Sequence, residues 1–293
     1  MAVPVAALLA LVGCALAFAA LDLLRKLLTH HIRTVPLLFW LAAGSLPVFA
    51  IWWWGSGGAG PRDAAYWLPA LTSLALNIVA NLLYLEAVRR SPLSLTIPFL
   101  GLSPVFATLL AVPMLGETPT PLQWGGILLA VIGVLWLSWG GQGDPTPVRL
   151  WRALRREPGS SLMCGTALAW ACALPFDKLA LGHASTPWHG MVITGGVAAG
   201  MLATLAVTRR GGLRTDRHGG LLLIAAGCLG GVALGLQLLA MGLTAVGLVE
   251  TLKRALGSFS AVAFGYLFFH ESVTPHKLAA VVILAAGVAV LLL

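Results

Sequence analysis

The sequence predicts an all-α polytopic membrane protein, with ten transmembrane helices arranged as two inverted five-helix repeats. Three observations carry that prediction. The 293 residues are 59% hydrophobic and 10% charged, with a mean hydropathy of +0.92, whereas a soluble domain is about a quarter charged. The apolar residues gather into runs of the length that crosses a bilayer, about 20 residues. The end of the first half recurs without gaps 154 positions later, Glu117 meeting Glu271.

Ten runs can be marked, at 4–24, 35–54, 66–88, 92–115, 121–139, 160–181, 187–208, 219–243, 246–269 and 275–293. No positive charge precedes the first, and it continues to Leu21 past the small-residue patterns around Cys14 and Ala17. It therefore reads as a membrane helix and not as a cleaved leader. Trp52, Trp53, Trp54 and Trp67 lie near the ends of the second and third runs, as an interfacial belt does. The third run places Ser73, Asn77, Asn81 and Tyr84 on one helical stripe. Pro98 and Pro104 in the fourth run and Pro175 in the sixth are candidate kinks. The fifth opens on Thr120-Pro121 with Gln123 to complete a capping box.

The longest connection, Gly140 to Gly159, is rich in Gly, Pro and Arg. It divides the chain into a first repeat (1–140), a basic connecting loop (141–159) and a second repeat (160–293). The eighth run carries Gly227, Gly231 and Gly235, a packing ladder, and then Gln237. Cys14, Cys164, Cys172 and Cys228 fall inside apolar runs at no metal-ligand spacing, and the His residues scatter to run ends. They predict small packing residues, with no metal and no cofactor.

The repeat extends to details. Thr120 meets Thr274, Pro121 meets Pro275, Gly133 meets Gly287, and Arg25-Lys26-Leu27 lies roughly opposite Asp177-Lys178-Leu179. An odd number of helices per repeat inverts the second half, and loop charge agrees. Of the 18 Lys and Arg residues, fourteen lie in the connections after helices 1, 3, 5, 7 and 9. Two, Arg62 and Lys178, lie after the even-numbered helices, and Lys253 and Arg254 remain within the ninth run. The positive-inside rule then puts the basic loops in the cytoplasm and both termini outside. The net charge of +8 reads as topology and not as a nucleic-acid surface.

The ninth run, from Gly247 to Glu271, holds Glu250, Lys253 and Arg254 in its first turns. A charge inside a membrane helix costs about 2.5–3.5 kcal/mol on insertion scales. Positions 250, 254, 257, 261 and 265 share a face of charged and small residues, so the charges lie against protein or a wet cavity. Two cations beside one carboxylate point to an anionic group on a substrate. Asn77, Asn81, Tyr84, Trp170, Gln237, Lys253 and Arg254 are the candidate substrate-binding residues. Asp22, Lys26, Asp177, Lys178 and Glu250 are the candidate gating or coupling residues. They divide into one cluster of Asp22, Lys26 and Glu86 and another of Asp177, Lys178 and Glu250.

Leu252-Lys253-Arg254, then Phe259, then Gly265-Tyr266-Leu267-Phe268-Phe269-His270-Glu271 resemble the ninth helix of the EamA-type domain of the drug/metabolite transporter superfamily. The Leu-Gly-Glu that closes the fourth run is similar to that family as well. The resemblance spans nearly the whole chain. It implies small-molecule transport by alternating access around a cavity between the repeats, commonly export of amino acids or metabolites, and a multi-pass protein of the bacterial inner membrane. Members often have both termini in the cytoplasm, against the charge count here.

The reading is a secondary transporter that exports amino acids or other carboxylate-bearing solutes, with a small-molecule substrate and the lipid bilayer as partners, as a monomer or homodimer. Multidrug or cationic-compound efflux is the alternative within transport, and a lipid-handling or structural membrane protein the alternative outside it. An enzyme is not expected, because no nucleophile–base or metal constellation gathers at one depth.

Overall fold

The structure is a computed structural model that describes residues 4–29, 32–91, 99–139, 158–208, 217–269 and 274–292. They form α1 (Val5–Thr29), α2 (Thr34–Gly55), α3 (Trp67–Arg90), α4 (Ser103–Leu115), α5 (Pro121–Trp139), α6 (Pro158–Leu181), α7 (Thr186–Thr208), α8 (Arg217–Leu243), α9 (Val246–Phe269) and α10 (Pro275–Leu292). A short 3-10 turn, Ala64–Tyr66, leads into α3. By length and composition α1, α2, α3, α6, α7, α8 and α10 can each cross a membrane, α4 and α5 are shorter apolar helices, and α9 runs 24 residues. Pro98, His30, His31, His270, Glu271 and most of the connecting loop lie outside the described residues, as do the side chains of Lys26, Trp139, Ala261 and Gly265.

Local chemistry sets several boundaries. Thr120 and Gln123 form the capping box of α5: Thr120 N–H donates to Gln123 Oε1 at 3.0 Å and Gln123 N–H to Thr120 Oγ1 at 3.2 Å. Thr274 repeats the cap on α10, accepting from Lys277 N–H at 3.4 Å. Gly116 ends α4 at φ 67, the left-handed conformation that glycine adopts without a Cβ penalty. The fourth apolar run departs from a single helix. Phe99 and Leu100 are helical, Gly101 and Leu102 form a turn, and α4 begins at Ser103. Ser103 Oγ lies 2.8 Å from the Leu100 carbonyl, an acceptor that the break frees, and within reach of Glu250 Oε1, so its single proton serves one of the two at a time. Pro104 sits in the first turn of α4, where its missing N–H costs nothing, so it starts a helix and does not kink one.

The halves interlock. α3 packs along α6 and, in the equivalent pair of the other repeat, α8 packs along α1. The pairs α2–α7, α4–α9 and α5–α10 each join a helix to its own counterpart, as a pseudo-two-fold axis between inverted repeats requires. Links between helix ends fix the two faces. Lys178 Nζ near the end of α6 donates to the Thr244 carbonyl after α8 at 2.6 Å, and Glu117 after α4 accepts from Val246 N–H at the start of α9 at 2.8 Å. At the opposite face Thr34, at the start of α2, donates to Glu86 near the end of α3 at 3.2 Å. α6 thus ends on one face while its counterpart α1 ends on the other.

The interior is built largely of alanine, with Leu9, Ile51, Leu68, Val207, Ile224 and Val282 turned outward, the distribution of a body solvated by lipid. Small residues let backbones meet. A Cβ on Gly44 would lie 2.9 Å from the Gly227 Cα, and Ser45 Oγ donates to the Gly227 carbonyl at 2.8 Å, which locks α2 on α8. Gly231 and Gly235 continue that seam against Val48 and Trp52. The duplicated pair Gly133 and Gly287 joins α5 to α10, where a Cβ on Gly287 would lie 2.6 Å from Ala130 N.

Gly125 and Gly126 separate the two costs of a side chain on α5. A Cβ on Gly126 would lie 2.8 Å from Leu291 N, while one on Gly125 meets nothing within 4 Å. Thermal melting of purified protein is expected to show Gly126→Ala destabilised by about 1–3 kcal/mol through overpacking. Gly125→Ala is expected to be neutral or to gain up to about 1 kcal/mol of helix propensity.

Candidate functional site

Between the repeats lies a cavity of about 440 Å³. Its wall takes Asp22 and Arg25 from α1, Asn77, Asn81 and Tyr84 from α3, Trp170 and Asp177 from α6, Gln237 from α8, and Lys253 and Arg254 from α9. All seven residues singled out for substrate contact therefore border one space, together with Asp22 and Asp177 from the gating set.

The α9 charges are organised by Glu250, which is 1% exposed. Its Oε1 accepts from Ser103 Oγ at 2.5 Å and Arg254 Nε at 2.9 Å, and its Oε2 pairs with Lys253 Nζ. Lys253 Nζ also donates to Gln237 Oε1 at 2.9 Å and stands 5.5 Å from the centre of the Phe18 ring. The Arg254 guanidinium lies 5.9 Å from the centre of the Trp170 ring. Arg254 meets Glu250 and Ser103 through Nε alone, so among the described residues its two terminal nitrogens take no protein partner. They present the fork that matches a carboxylate.

The opposite part of the wall is built on Tyr84. Its hydroxyl donates to Asp22 Oδ1 at 3.1 Å, its ring lies 5.5 Å from that of Trp170, and Arg25 stands 5.5 Å over it. Asp22 pairs with Arg25 at 3.2 Å. Asn77 donates to the Ser73 carbonyl at 3.1 Å and Asn81 to the Asn77 carbonyl at 2.8 Å, so their amide N–H groups serve α3 and their side-chain oxygens remain as acceptors.

The two charged clusters are differently partnered from the sequence grouping. Lys178 does not meet Glu250; it pairs with Glu117 at 2.5 Å, because the end of α6 lies beside the end of α4 while Glu250 turns inward to its own helix and Ser103. Asp22 takes Arg25, three residues on, and Glu86 takes Arg90 and Thr34 at the helix ends. Glu117 acts structurally, accepting from the first N–H of α9. Gly257, expected to admit a neighbouring helix, has nothing within 4 Å of an added Cβ and borders the cavity.

Sequence reasoning passed over Arg25, Ser103 and His189. Arg25 looked like one of many loop cations. Ser103 gave a signal only through Ser103-Pro104, a helix start inside an apolar run. His189 sits one turn into α7, where position alone suggests an interfacial residue, yet it is buried. Among the described residues no group of three or more His, Cys, Asp or Glu side chains could hold a metal, and the four cysteines are free.

The model of the EamA-like transporter family matches residues 5–139 and again residues 157–293. A solved structure described as "Crystal structure of protein" superposes with a TM-score of 0.77 at 16% identity, covering 97% of this chain and 95% of that one, a likeness of fold. No curated protein matches the chain.

Removing one member of a buried ion set leaves its partners exposed to the full desolvation cost. Glu250→Gln strands Lys253 and Arg254 together and is expected to cost about 3–5 kcal/mol, read as a lowered melting temperature and a reduced folded yield. Lys253→Met leaves Glu250 with Arg254 and Ser103 and is expected to melt closer to the unsubstituted protein.

Proposed function

The chain belongs to the EamA-like transporter family, matched twice along its length, and from that premise we propose that it is a secondary transporter of small carboxylate-bearing solutes, amino acids among them. The observation that carries the substrate class is Arg254, held by Glu250 through Nε with no partner for its terminal nitrogens among the described residues, in the wall of a cavity of about 440 Å³. A carboxylate there replaces its hydration shell with two parallel charge-assisted hydrogen bonds. Lys253 adds positive field beside it, and the acceptors of Asn77 and Asn81 suit the N–H or O–H groups on the body of the solute. Phe18, Tyr84 and Trp170 supply apolar surface.

The same rings argue against cationic drugs as substrates. Each already faces a cation of the protein, Lys253, Arg25 and Arg254 respectively, so an incoming cation would meet like charge where it needs a bare π-face.

In this reading the cavity opens alternately to the two sides as the repeats rock about their pseudo-two-fold axis. Lys178–Glu117 closes one face, and Asp22–Arg25–Tyr84 narrows the other. The basic loops lie in the cytoplasm, both termini lie outside, and the protein exports its solute across a bacterial inner membrane. A reporter fused to the C-terminus is expected to be active outside the cytoplasm.

Proteoliposomes test the activity. Counterflow of labelled amino acids and organic acids is expected from the intact protein. Arg254→Gln is expected to weaken carboxylate binding about 10- to 100-fold, the worth of hydrogen bonds to a charged group, read as ligand-induced thermal stabilisation. Stabilisation by cationic compounds alone would overturn the substrate assignment, and absence of counterflow for every solute class would overturn transport.

A further inference from the structure

A second polar network reaches the cavity wall and shares only Asn77 with the solute-binding scheme. His189 on α7 is fully buried. Its Nε2 lies 3.1 Å from Asp177 Oδ1 on α6, and its Nδ1 lies 3.2 Å from the hydroxyl of Tyr66 in the turn ahead of α3. Ser73 Oγ donates to the same Asp177 oxygen, and Asn77 Nδ2 donates to Ser73 Oγ at 3.0 Å. One arrangement of hydrogens satisfies all of them. Tyr66 O–H donates to Nδ1, His189 Nε2–H donates to Asp177, and Ser73 O–H donates to Asp177. The imidazole is then neutral and the carboxylate ionised.

Both donors fall on Oδ1. Among the described residues Oδ2 receives none, and Asp177, with its side chain 5% exposed, borders the cavity. A buried carboxylate with one oxygen open to a cavity is a receptor for a proton.

Among the described residues no Lys or Arg pairs with that carboxylate. α2 and α4 bring no titratable side chain to α6 and α7. α9 brings Glu250, Lys253 and Arg254, a set with one positive charge in excess across the cavity, and α1 brings Asp22 and Arg25, which pair with each other. Lys178 adjoins Asp177 in sequence but pairs with Glu117. In the neighbouring links Asp63 pairs with His183 at 3.0 Å and Arg62 is exposed. α8 adds Cys228, with Arg217 and His218 at its opposite end, and Glu86, Arg89 and Arg90 lie at the opposite end of α3.

We propose that Asp177 and His189 form a proton-binding site of the cavity. One proton from cavity water bonds to Asp177 Oδ2 as a carboxyl O–H, His189 and Ser73 hold Oδ1 in place throughout, and release returns the same proton to water. No other bond forms or breaks. The site makes the proton the coupling ion of the transport reading, a part that rests on that reading. A proton on Asp177 removes a negative charge facing the solute carboxylate at Arg254, so the two bind together and cross together, an export driven by the solute's own outward gradient and not by proton entry.

Proton uptake by the purified full chain, titrated between pH 8 and pH 5, tests the site with the proton itself as probe. The unsubstituted protein is expected to take up one more proton per chain than Asp177→Asn, compared at equal helicity and melting behaviour. Ser73→Ala, which strips one donor from the carboxylate, is expected to keep the proton and move the midpoint of uptake, and it serves if Asp177→Asn fails to fold. Equal uptake by the unsubstituted protein and Asp177→Asn, or an unmoved midpoint in Ser73→Ala, overturns the proposal. Counterflow at equal pH on both sides reports transport alone. If it succeeds while uptake is unchanged by Asp177→Asn, coupling falls and transport stands; if it fails while the extra proton is found, transport falls and the site stands.

Discussion

The carboxylate of Glu250 is the interaction on which the centre of the molecule depends. Two cations one turn away on the same helix would be unsupportable at membrane depth without it, and it would be equally costly without them. It settles α9 against α4 by accepting from Ser103, which lies next to the break that follows Leu100. That break frees a carbonyl 2.8 Å from the same hydroxyl, a second acceptor for its one proton. The helix interruption, the ion set and the position of Arg254 therefore meet at one residue, Ser103.

The same accounting governs the rest of the interior. Hydroxyls in mid-helix donate to the carbonyl four residues back, as Thr108, Thr194 and Thr251 do, so that they add no unsatisfied group to the lipid-facing body. Some serines do more than that and bridge the repeats. Ser45 ties α2 to α8, and Ser73 ties α3 to α6.

The fold was legible because hydropathy, duplication and loop charge are long-range patterns that need no knowledge of contacts. Thr120-Pro121 and Thr274-Pro275 announced two helix starts that the caps then realise. The cavity wall was legible through helical stripes: Asn77, Asn81 and Tyr84 share a face, as do Glu250 and Arg254. Partner choice was not. Lys178 could meet Glu250 or Glu117 on sequence grounds, and only the packing of α6 against α4 decides for Glu117. His189 was illegible for a related reason. Its significance lies in Asp177 and Tyr66, residues on other elements, and its own neighbours in the chain carry no trace of them.

The near-symmetry of the frame has an energetic consequence. A rotation that exchanged the repeats would turn a molecule open on one side into its mirror in function, and in two identical halves both forms would be equally populated. Arg25 and Asp177 occupy roughly corresponding places in α1 and α6 and carry opposite charge, one beneath Tyr84 and the other beside His189. The exchange is thus not between equals. In the proposed alternating-access cycle, the mismatch between the two copies favours one side at rest.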